Sequence, residues 1–260
     1  MKKEKEGINM YQINNFFDNK NMKVLEQKGC FTILEHEKDL SVSPESAIIA
    51  YYSSEMNVRK RQVFVQLNGN ACATQAGAMQ WMLGDVNMET GVKGIGNFIG
   101  KMASAAVTKE TAVKPIYTGK GALMLEPTYK HLIAVDVSEW GSIVLDDGLF
   151  LACDATLQQK TVARSNISSA VLGGEGLFNL ALTGNGIAIL ESRVPKEELI
   201  EVVLDNDVIK IDGNMAIAWS GSLNFTVEKS TKSLIGSAVS GEGFVNVYRG
   251  TGKILMAPTA

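Results

Sequence analysis

One short motif, Gly-x-Gly followed by a run of apolar residues, occurs three times along this chain. It reads YTGKGALML at residues 117–125, LTGNGIAIL at 182–190 and YRGTGKILM at 248–256. The first glycines of the three copies follow one another at nearly equal intervals, and self-similarity at a fixed period is the signature of an internal repeat. We therefore expect three similar units, each of which packs against its neighbour.

Two further motifs recur in register with the first. LDDGLFLA at residues 145–152 matches KIDGNMAIA at 210–218, and TQAGAMQWM at 74–82 supplies an earlier copy. GGEGLFNL at 173–180 likewise matches SGEGFVNV at 240–247. Each unit is therefore interpreted as strand, turn, strand, polar linker, strand, Gly-x-Gly and strand.

Glycines punctuate the units at matching places. The alignment sets Asp147-Gly148 opposite Asp212-Gly213. A Gly-x-Gly between two alternating strands supplies the positive φ that a tight hairpin turn requires. The glycines expected in turns are Gly77, Gly119, Gly121, Gly148, Gly184, Gly186, Gly213, Gly250 and Gly252.

The segments between these turns have the composition of strands. LIEVVL and DVIKI are β-branched or alternating, and stretches with helical periodicity are scarce, so the chain is predicted to be all-β. CFTILEHE at residues 30–37 and AIIAYYS at 47–53 indicate added strands ahead of the repeats. The expected divisions are an N-terminal extension at 1–60, repeat 1 at 61–128, repeat 2 at 129–193 and repeat 3 at 194–260.

Repeat 1 contains an insertion. The interval between its two turn glycines, Gly77 and Gly119, is longer than the corresponding interval in either of the other repeats. The extra residues fall in GVKGIGNFIGKMASAAV at 91–107, where helix-like apolar spacing indicates a short helix or a mobile loop. The residues proposed to face a partner there are Ile95, Phe98, Ile99, Lys101 and Met102.

Motifs for nucleotide, metal or nucleophile chemistry fail on spacing. Gly94 to Gly100 fits neither the dinucleotide fingerprint nor the phosphate loop, because the intervals between glycines are wrong for both. His36 and His131 have no partners at metal-ligand spacing. Ser220 and Ser240 do not lie in Gly-x-Ser-x-Gly. No catalytic residue, metal or cofactor is therefore expected.

Charge and cysteine content restrict the partners. A net charge of −3 gives no general basic field for nucleic acid, and the one compact basic run, VRKRQ at 58–62, is interpreted as a solvated entrance to a strand. Three widely spaced cysteines suggest no disulfide framework. The charged N-terminus lacks a signal peptide, so a cytoplasmic protein is expected. Lys5-Glu6-Gly7 back-translates to a ribosome-binding-site sequence, which suggests Met10 as the translation start.

Four linked motifs carry a family resemblance: AGAMQWM, LDDGLFLACD, DGNMAIAWS and GEGFVNVYRGTGKILMAP. Together they make residues 10–258 resemble the bacterial branch of the altered inheritance of mitochondria protein 24 family. The resemblance implies three tandem copies of a short double-stranded β-helix or sandwich-like unit, similar in fold to the trp RNA-binding attenuation protein. It also implies that three chains close into a ring of nine similar units. The family brings no established catalytic residue, cofactor or substrate, and its mitochondrial members are associated with inner-membrane organisation.

These observations favour a non-enzymatic, oligomeric scaffold or interaction protein. The expected partners are two further copies in a homotrimer and a protein or a membrane surface, to which the cytoplasmic protein would bind peripherally. Nucleic acid is not expected, because the equivalent turn-centre residues Lys120, Asn185 and Thr251 do not agree in charge. Two alternatives stay open: a small-molecule or RNA binding module that uses grooves between repeats, and an enzyme with an unrecognised site.

Overall fold

The computed structural model describes residues 11–90, 114–163, 178–229 and 244–258, and these are almost entirely β-structure. The described helices are α1 (Ala47–Glu55) and two short 3-10 helices, Val137–Trp140 and Lys196–Glu198. The described strands are β1 (Met22–Lys28), β2 (Phe31–His36), β3 (Arg61–Asn68), β4 (Cys72–Thr74), β5 (Met79–Glu89), β6 (Ile116–Leu125), β7 (His131–Asp136), β8 (Ser142–Leu145), β9 (Phe150–Asp154), β10 (Gln158–Ala163), β11 (Phe178–Thr183), β12 (Ile187–Ser192), β13 (Ile200–Ile211), β14 (Ala216–Ser220), β15 (Asn224–Lys229) and β16 (Phe244–Met256).

The strands form two antiparallel sheets. The first has the order β1-β2-β3-β6-β4-β9-β12-β7, and β5 also pairs with β6. The second has the order β10-β11-β8-β14-β16-β13, and β15 also pairs with β16. Strands before residue 126 belong to the first sheet and strands after 199 belong to the second. The middle stretch, 131–192, contributes three strands to each sheet and so joins them.

Both faces of the sheets carry buried apolar side chains. In β3, Val63 and Val65 point into one core cluster, while Phe64 between them points into another. In β8, Ile143 and Val144 divide in the same way between two clusters. Alternate residues of a strand point to opposite faces, so a strand buried on both faces is a continuous apolar run.

The N-terminal extension differs from its prediction in two elements, of which one is strand β1 at Met22–Lys28, which was not predicted. Residues 31–36 form a strand as expected, but 47–53, predicted to be a strand, belong to helix α1. A strand needs a neighbour for its backbone hydrogen bonds, whereas a helix satisfies them locally, as in Ala50 N donating to Ser46 O at 2.9 Å. No described strand lies beside this segment, so the helix is the conformation that leaves fewer backbone groups unpaired.

The Gly-x-Gly motifs also differ from the hairpin turns expected of them. Gly119, Gly184 and Gly250 share a positive φ of 123°, 120° and 121°. Only Gly184 and Gly186 flank a connection between strands, from β11 to β12; the motifs at 119–121 and 250–252 lie within β6 and β16. There the partner strands β5 and β13 continue past the glycines, so pairing resumes on both sides and the chain remains a strand.

The Asp-Gly alignment is one residue out of register with the strands. Gly77 and Gly148 precede β5 and β9 by two residues, whereas Gly213 precedes β14 by three. Their φ angles are 80°, 78° and 63°. Either central position of a tight turn can take a positive φ. Gly213 therefore occupies the turn position before the one that corresponds to Gly77 and Gly148, while the strands on either side remain equivalent.

The donors of one backbone contact recur at the interval of the sequence motif. One hydrogen bond of 2.7 Å, from the end of a Gly-x-Gly segment to the start of the strand beside it, occurs three times, once for each copy of the motif. Its donors and acceptors are Glu126 N to Ala78 O, Glu191 N to Leu149 O, and Ala257 N to Met215 O.

Candidate functional site

Large apolar side chains are concentrated on the outside of α1 and in the loop before it. Met56, Leu40, Ile48 and Ile49 are the four most exposed large apolar residues in the described part of the chain, at 69–77%. The tyrosines of the helix are more than half exposed as well. We call this set the α1 surface; it consists of Leu40, Ile48, Ile49, Tyr51, Tyr52 and Met56.

The helix is oriented opposite to an ordinary surface helix. At 100° per residue, Ile48, Ile49, Tyr52 and Met56 fall within an arc of about 100°. Ser54, the one buried residue of α1, falls on the opposite side. Its hydroxyl donates to Glu37 O at 2.9 Å, and a small polar residue thus faces the protein while the large apolar residues face away.

Buried charges fix the chain at the end of the helix. The Glu35 carboxylate accepts from Arg61 at 2.7 Å and from Arg59 at 3.0 Å, and the Arg61 side chain is only 2% exposed. Arg61 also donates to Asn57 Oδ1 at 2.6 Å, and Arg59 Nε donates to Ser54 O at 2.9 Å. The basic run at 58–62 was predicted to be solvated, and that is wrong for Arg61: buried Glu35 supplies its counter-charge.

A pocket of about 340 Å³ lies beside α1. On one side, Lys60 and Tyr129 both bind Asp39, at 3.0 and 2.8 Å. The hydrogen bond from Lys60, with that from Tyr129, lowers the pKa of Asp39, and Asp39 in turn raises the pKa of Tyr129. These polar groups satisfy one another, so the pocket offers a ligand mainly apolar wall, from Val42, Ile49 and Val58 among others.

A second pocket, of about 380 Å³, lies on the sheet that contains β10 and β15. Its lining includes Trp219 and Phe225, whose ring centroids are 5.7 Å apart, with Lys160 and Thr183 among its polar members. Its lining comes from two stretches of the chain, 142–183 and 219–225.

The cysteines are unsuited to nucleophilic chemistry. All three are free and buried. Burial, followed by the charge of Asp154, raises the pKa of Cys30 and of Cys153 to about 12, and burial raises that of Cys72 well above its ordinary value. Their thiols stay protonated at neutral pH, and a protonated thiol is a poor nucleophile.

The histidines have structural surroundings. His36 Nε2 lies 3.1 Å from Gln62 Oε1. Burial and the charge of Arg61 lower the pKa of His131, which keeps its ring neutral. Within the described ranges, no group of His, Cys, Asp and Glu is arranged to hold a metal ion.

The structure does not bring the sequence-predicted residues together into one site. The turn glycines lie along the sheets, and the partner-facing residues Ile95, Phe98, Ile99, Lys101 and Met102 fall outside the described residues. The α1 surface was not foreseen. Its sequence marks were Pro44 shortly before the helix and apolar residues spaced as 48, 49, 52 and 56, which is helical rather than alternating spacing.

No helix in the described ranges is both long and apolar enough to cross a bilayer.

Comparison with known proteins identifies relatives without an assigned activity. The family described as Mitochondrial biogenesis AIM24 matches residues 52–259. An uncharacterised protein of Streptococcus pyogenes serotype M6 is 29% identical over 195 residues, which cover 72% of this chain and 76% of that protein. A Streptococcus pyogenes crystal structure from the Northeast Structural Genomics Consortium is similar with a TM-score of 0.57 and 27% identity, covering 78% of this chain and 89% of the other. The family match begins inside α1, so most of the α1 surface precedes it.

Proposed function

This chain belongs to the AIM24 family of mitochondrial biogenesis proteins, and from that membership we propose that it is a non-enzymatic, self-assembling scaffold. Its docking surface is the α1 surface, and the occupant is the face of a lipid bilayer. In this proposal three chains, each of three tandem attenuation-protein-like units, close into a ring. The protein works in the cytoplasm, peripheral to the membrane.

One observation carries the proposal: the large apolar side chains of α1 point away from the protein. Removing a side chain such as Ile or Met from water contributes about 1.5–3 kcal/mol, so leaving several exposed is costly unless something covers them. A contiguous exposed apolar patch of this kind marks an interaction site.

The chemistry of the α1 surface fits a bilayer interface. Tyr51 and Tyr52 combine an apolar ring with a hydroxyl, and such side chains are enriched at the level of lipid headgroups. The helix AIIAYYSSE carries one charged residue, Glu55, so insertion would depend on apolar burial more than on anionic lipid.

Self-assembly would make this short helix effective. A nine-residue helix buries few side chains, and one copy alone gives weak membrane binding. When several copies are held on one rigid body, the later contacts become intramolecular and the overall avidity rises steeply.

Flotation with lipid vesicles tests the bilayer proposal. Phosphatidylcholine vesicles, with and without anionic phosphatidylserine, are mixed with wild-type protein and floated through a density gradient. We expect wild type to float in both, and Ile48→Ser with Ile49→Ser to lose at least about tenfold in vesicle affinity, since two buried side chains are removed.

The matched control changes two other exposed apolar residues, Val24→Ser with Leu25→Ser on β1. These should float as wild type does, and neither pair should shift the melting temperature much, because all four side chains are exposed. Wild type that stays with the soluble fraction, or equal flotation of both double variants, contradicts the bilayer proposal. Capture of a protein on the α1 surface without flotation contradicts it as well.

A second candidate function is binding of a small aromatic molecule in the pocket that contains Trp219 and Phe225. The clustered rings favour stacking with a flat ligand. Titration of benzoate into the protein, followed by tryptophan fluorescence, checks this, with Phe225→Ala expected to abolish the change.

A further inference from the structure

Two antiparallel strand junctions within the chain have the same register. β4 pairs with β9, and β8 pairs with β14. The three paired residues of β8 follow those of β4 at one constant sequence separation, and the three of β14 follow those of β9 at another. One geometry therefore serves both. The paired residues are Cys72–Asp154, Ala73–Cys153 and Thr74–Ala152, then Ile143–Ser220, Val144–Trp219 and Leu145–Ala218.

Equivalent backbone hydrogen bonds close both junctions. Each has one bond beyond either end of the paired residues, and the four lengths lie between 2.7 and 2.9 Å. In each junction, the strand that comes first in the sequence, β4 or β8, provides the donor at one end and the acceptor at the other. The bonds are Gln75 N to Leu151 O and Ala155 N to Ala71 O in the first, and Asp146 N to Ile217 O and Gly221 N to Ser142 O in the second.

β5 has the same irregularity in its pairing as β9 and β14, the second strands of the two junctions. β9 and β14 each have an irregularity where they pair with the next strand, next to Leu151 and Ile217. β5 has the same irregularity between Met79 and Trp81 where it pairs with β6. Gln80 therefore corresponds to Leu151 and Ile217, the residues whose carbonyls accept across the two internal junctions.

The end of β13 matches β8 in the same way. β8 pairs with β11 through Leu145–Leu180, and β13 pairs with β16 through Ile211–Asn246. The sequence separation from Leu145 to Ile211 equals that from Leu180 to Asn246, so the two pairs are equivalent. Ile209, Lys210 and Ile211 thus correspond to the three residues of β8 that pair with β14.

Within the described residues, no second strand covers either of these two matching edges. Among the described strands, β5 pairs only with β6 and β13 only with β16. The central residues of the internal junctions are buried, at 6% or less for Val144 and Trp219. Met82, at the corresponding place on β5, is 46% exposed.

We infer that β13 of one copy pairs with β5 of the next, in the register of the internal junctions. The pairs are then Ile209–Leu83, Lys210–Met82 and Ile211–Trp81 across the contact. Head-to-tail contacts of this kind close into a ring when the rotation fits. The inference rests on the proposed self-assembly and specifies how it is made.

The described part of the N-terminal segment, which starts at residue 11, packs against the sheet without forming a strand along β5. Phe16 packs on a face of the sheet, with its ring centroid 5.5 Å from that of Phe64 and 6.4 Å from that of Trp81. Strand pairing uses the backbone at the side of β5, which this packing leaves accessible.

Disulfide trapping tests the register. Ile209 and Leu83 correspond to a non-hydrogen-bonded pair, whose Cα atoms lie about 4.5 Å apart in antiparallel sheets and within the range that a disulfide spans. The double variant Ile209→Cys with Leu83→Cys should form covalent dimers and trimers on mild oxidation. The control, Ile209→Cys with Asp85→Cys, shifts the register by two residues and should form at least about tenfold fewer cross-links. The native cysteines are buried and should form no intermolecular disulfide.

Charge variants at Met82 give a second test that does not require cysteine chemistry. Opposite Lys210, Met82→Lys places two like charges together and Met82→Glu places opposite charges. Because Met82 is half exposed, both variants should fold. Met82→Lys should raise the concentration of half-dissociation at least about tenfold, and Met82→Glu should not raise it.

Light scattering coupled to size exclusion separates the possible failures. A wild-type mass of three times 28.0 kDa, together with the expected cross-link, supports the inference. That mass without the Ile209–Leu83 cross-link, or with equal effects of both charge variants, overturns this register while the scaffold proposal stands. A mass of 28.0 kDa at every concentration overturns both the register and self-assembly.

Discussion

The same Gly-x-Gly motif occupies two different environments in this molecule. In β6, a Cβ added to Gly121 would lie 2.0 Å from the backbone oxygen of Leu83, because continuous β5 runs directly across it. Between β11 and β12, a Cβ added to Gly186 would meet the Asp154 side chain at 3.1 Å. Here the opposing strands β9 and β10 are separated by a turn. The partner strand, rather than the motif, therefore decides why a glycine is required at each place.

The largest effect expected from this comparison concerns Gly121. Gly121→Ala places a methyl against an immovable backbone oxygen, so we expect a loss of about 3 kcal/mol or more in the free energy of unfolding. Gly186→Ala, the matched variant, should lose about 1 kcal/mol, because its added methyl meets side-chain atoms, at 3.1 Å, rather than a backbone oxygen. Denaturant titration measures both values, and equal losses would remove the distinction between the two environments.

An intermediate effect is expected at Gly184. Its φ is 120°, but an added Cβ finds nothing closer than Leu157 Cδ2 at 3.6 Å. Gly184→Ala should therefore cost only backbone strain, about 1–2 kcal/mol. Gly119→Ala has nearly the same φ and adds a contact of 2.0 Å with Asp85 O, so its excess loss isolates the effect of β5. A Gly184→Ala protein as unstable as Gly119→Ala would contradict the assignment.

The smallest effect is an acid-dependent one between strands β15 and β16. Hydrogen bonds from Arg249, and then from Thr226, lower the pKa of Glu228 to about 2. The positions of Glu228 and Arg249 correspond to uncharged Val162 and Thr183 on β10 and β11. A carboxylate with a lowered folded pKa stabilises the protein above its unfolded value of 4.5, and this contribution fades as the pH falls towards 2.

Melting temperatures of wild type and Arg249→Gln check this sign. Wild type should melt slightly higher at pH 6, and the difference should shrink when both are measured at pH 3. The difference stays small because both side chains are more than a third exposed. A gap that widens on acidification would show that another group dominates.

The period of the glycines could be found from sequence because backbone conformation at positive φ restricts residue type locally. Gly119, Gly184 and Gly250 do share one conformation. Whether the chain turns or continues there could not be found, since that depends on the length of a partner strand. The helix at Ala47–Glu55 was missed because a short apolar segment suits a strand or a helix, and the choice depends on whether another strand lies beside it.

The candidate site was harder to predict than the fold. Burial of Arg61 depends on Glu35, which is distant in sequence and reaches it only when β2 pairs with β3. The exposure of Ile48 and Met56 depends equally on the direction in which α1 is turned, and Ser54 sets that direction through Glu37 O. A linear pattern contains the spacing of such residues but not the side of the helix that faces the protein.

The middle stretch of the chain contributes strands to both sheets, and this governs how the protein folds during synthesis and how it unfolds. One core cluster combines Val63 and Leu123 from the early strands with Leu132, Ala134 and Ile189 from the middle. The first half of a nascent chain therefore leaves the ribosome with an unfinished interior and must wait for later residues. Neither sheet can unfold and leave the other intact, so the chain should fold and unfold in one cooperative transition rather than in independent segments.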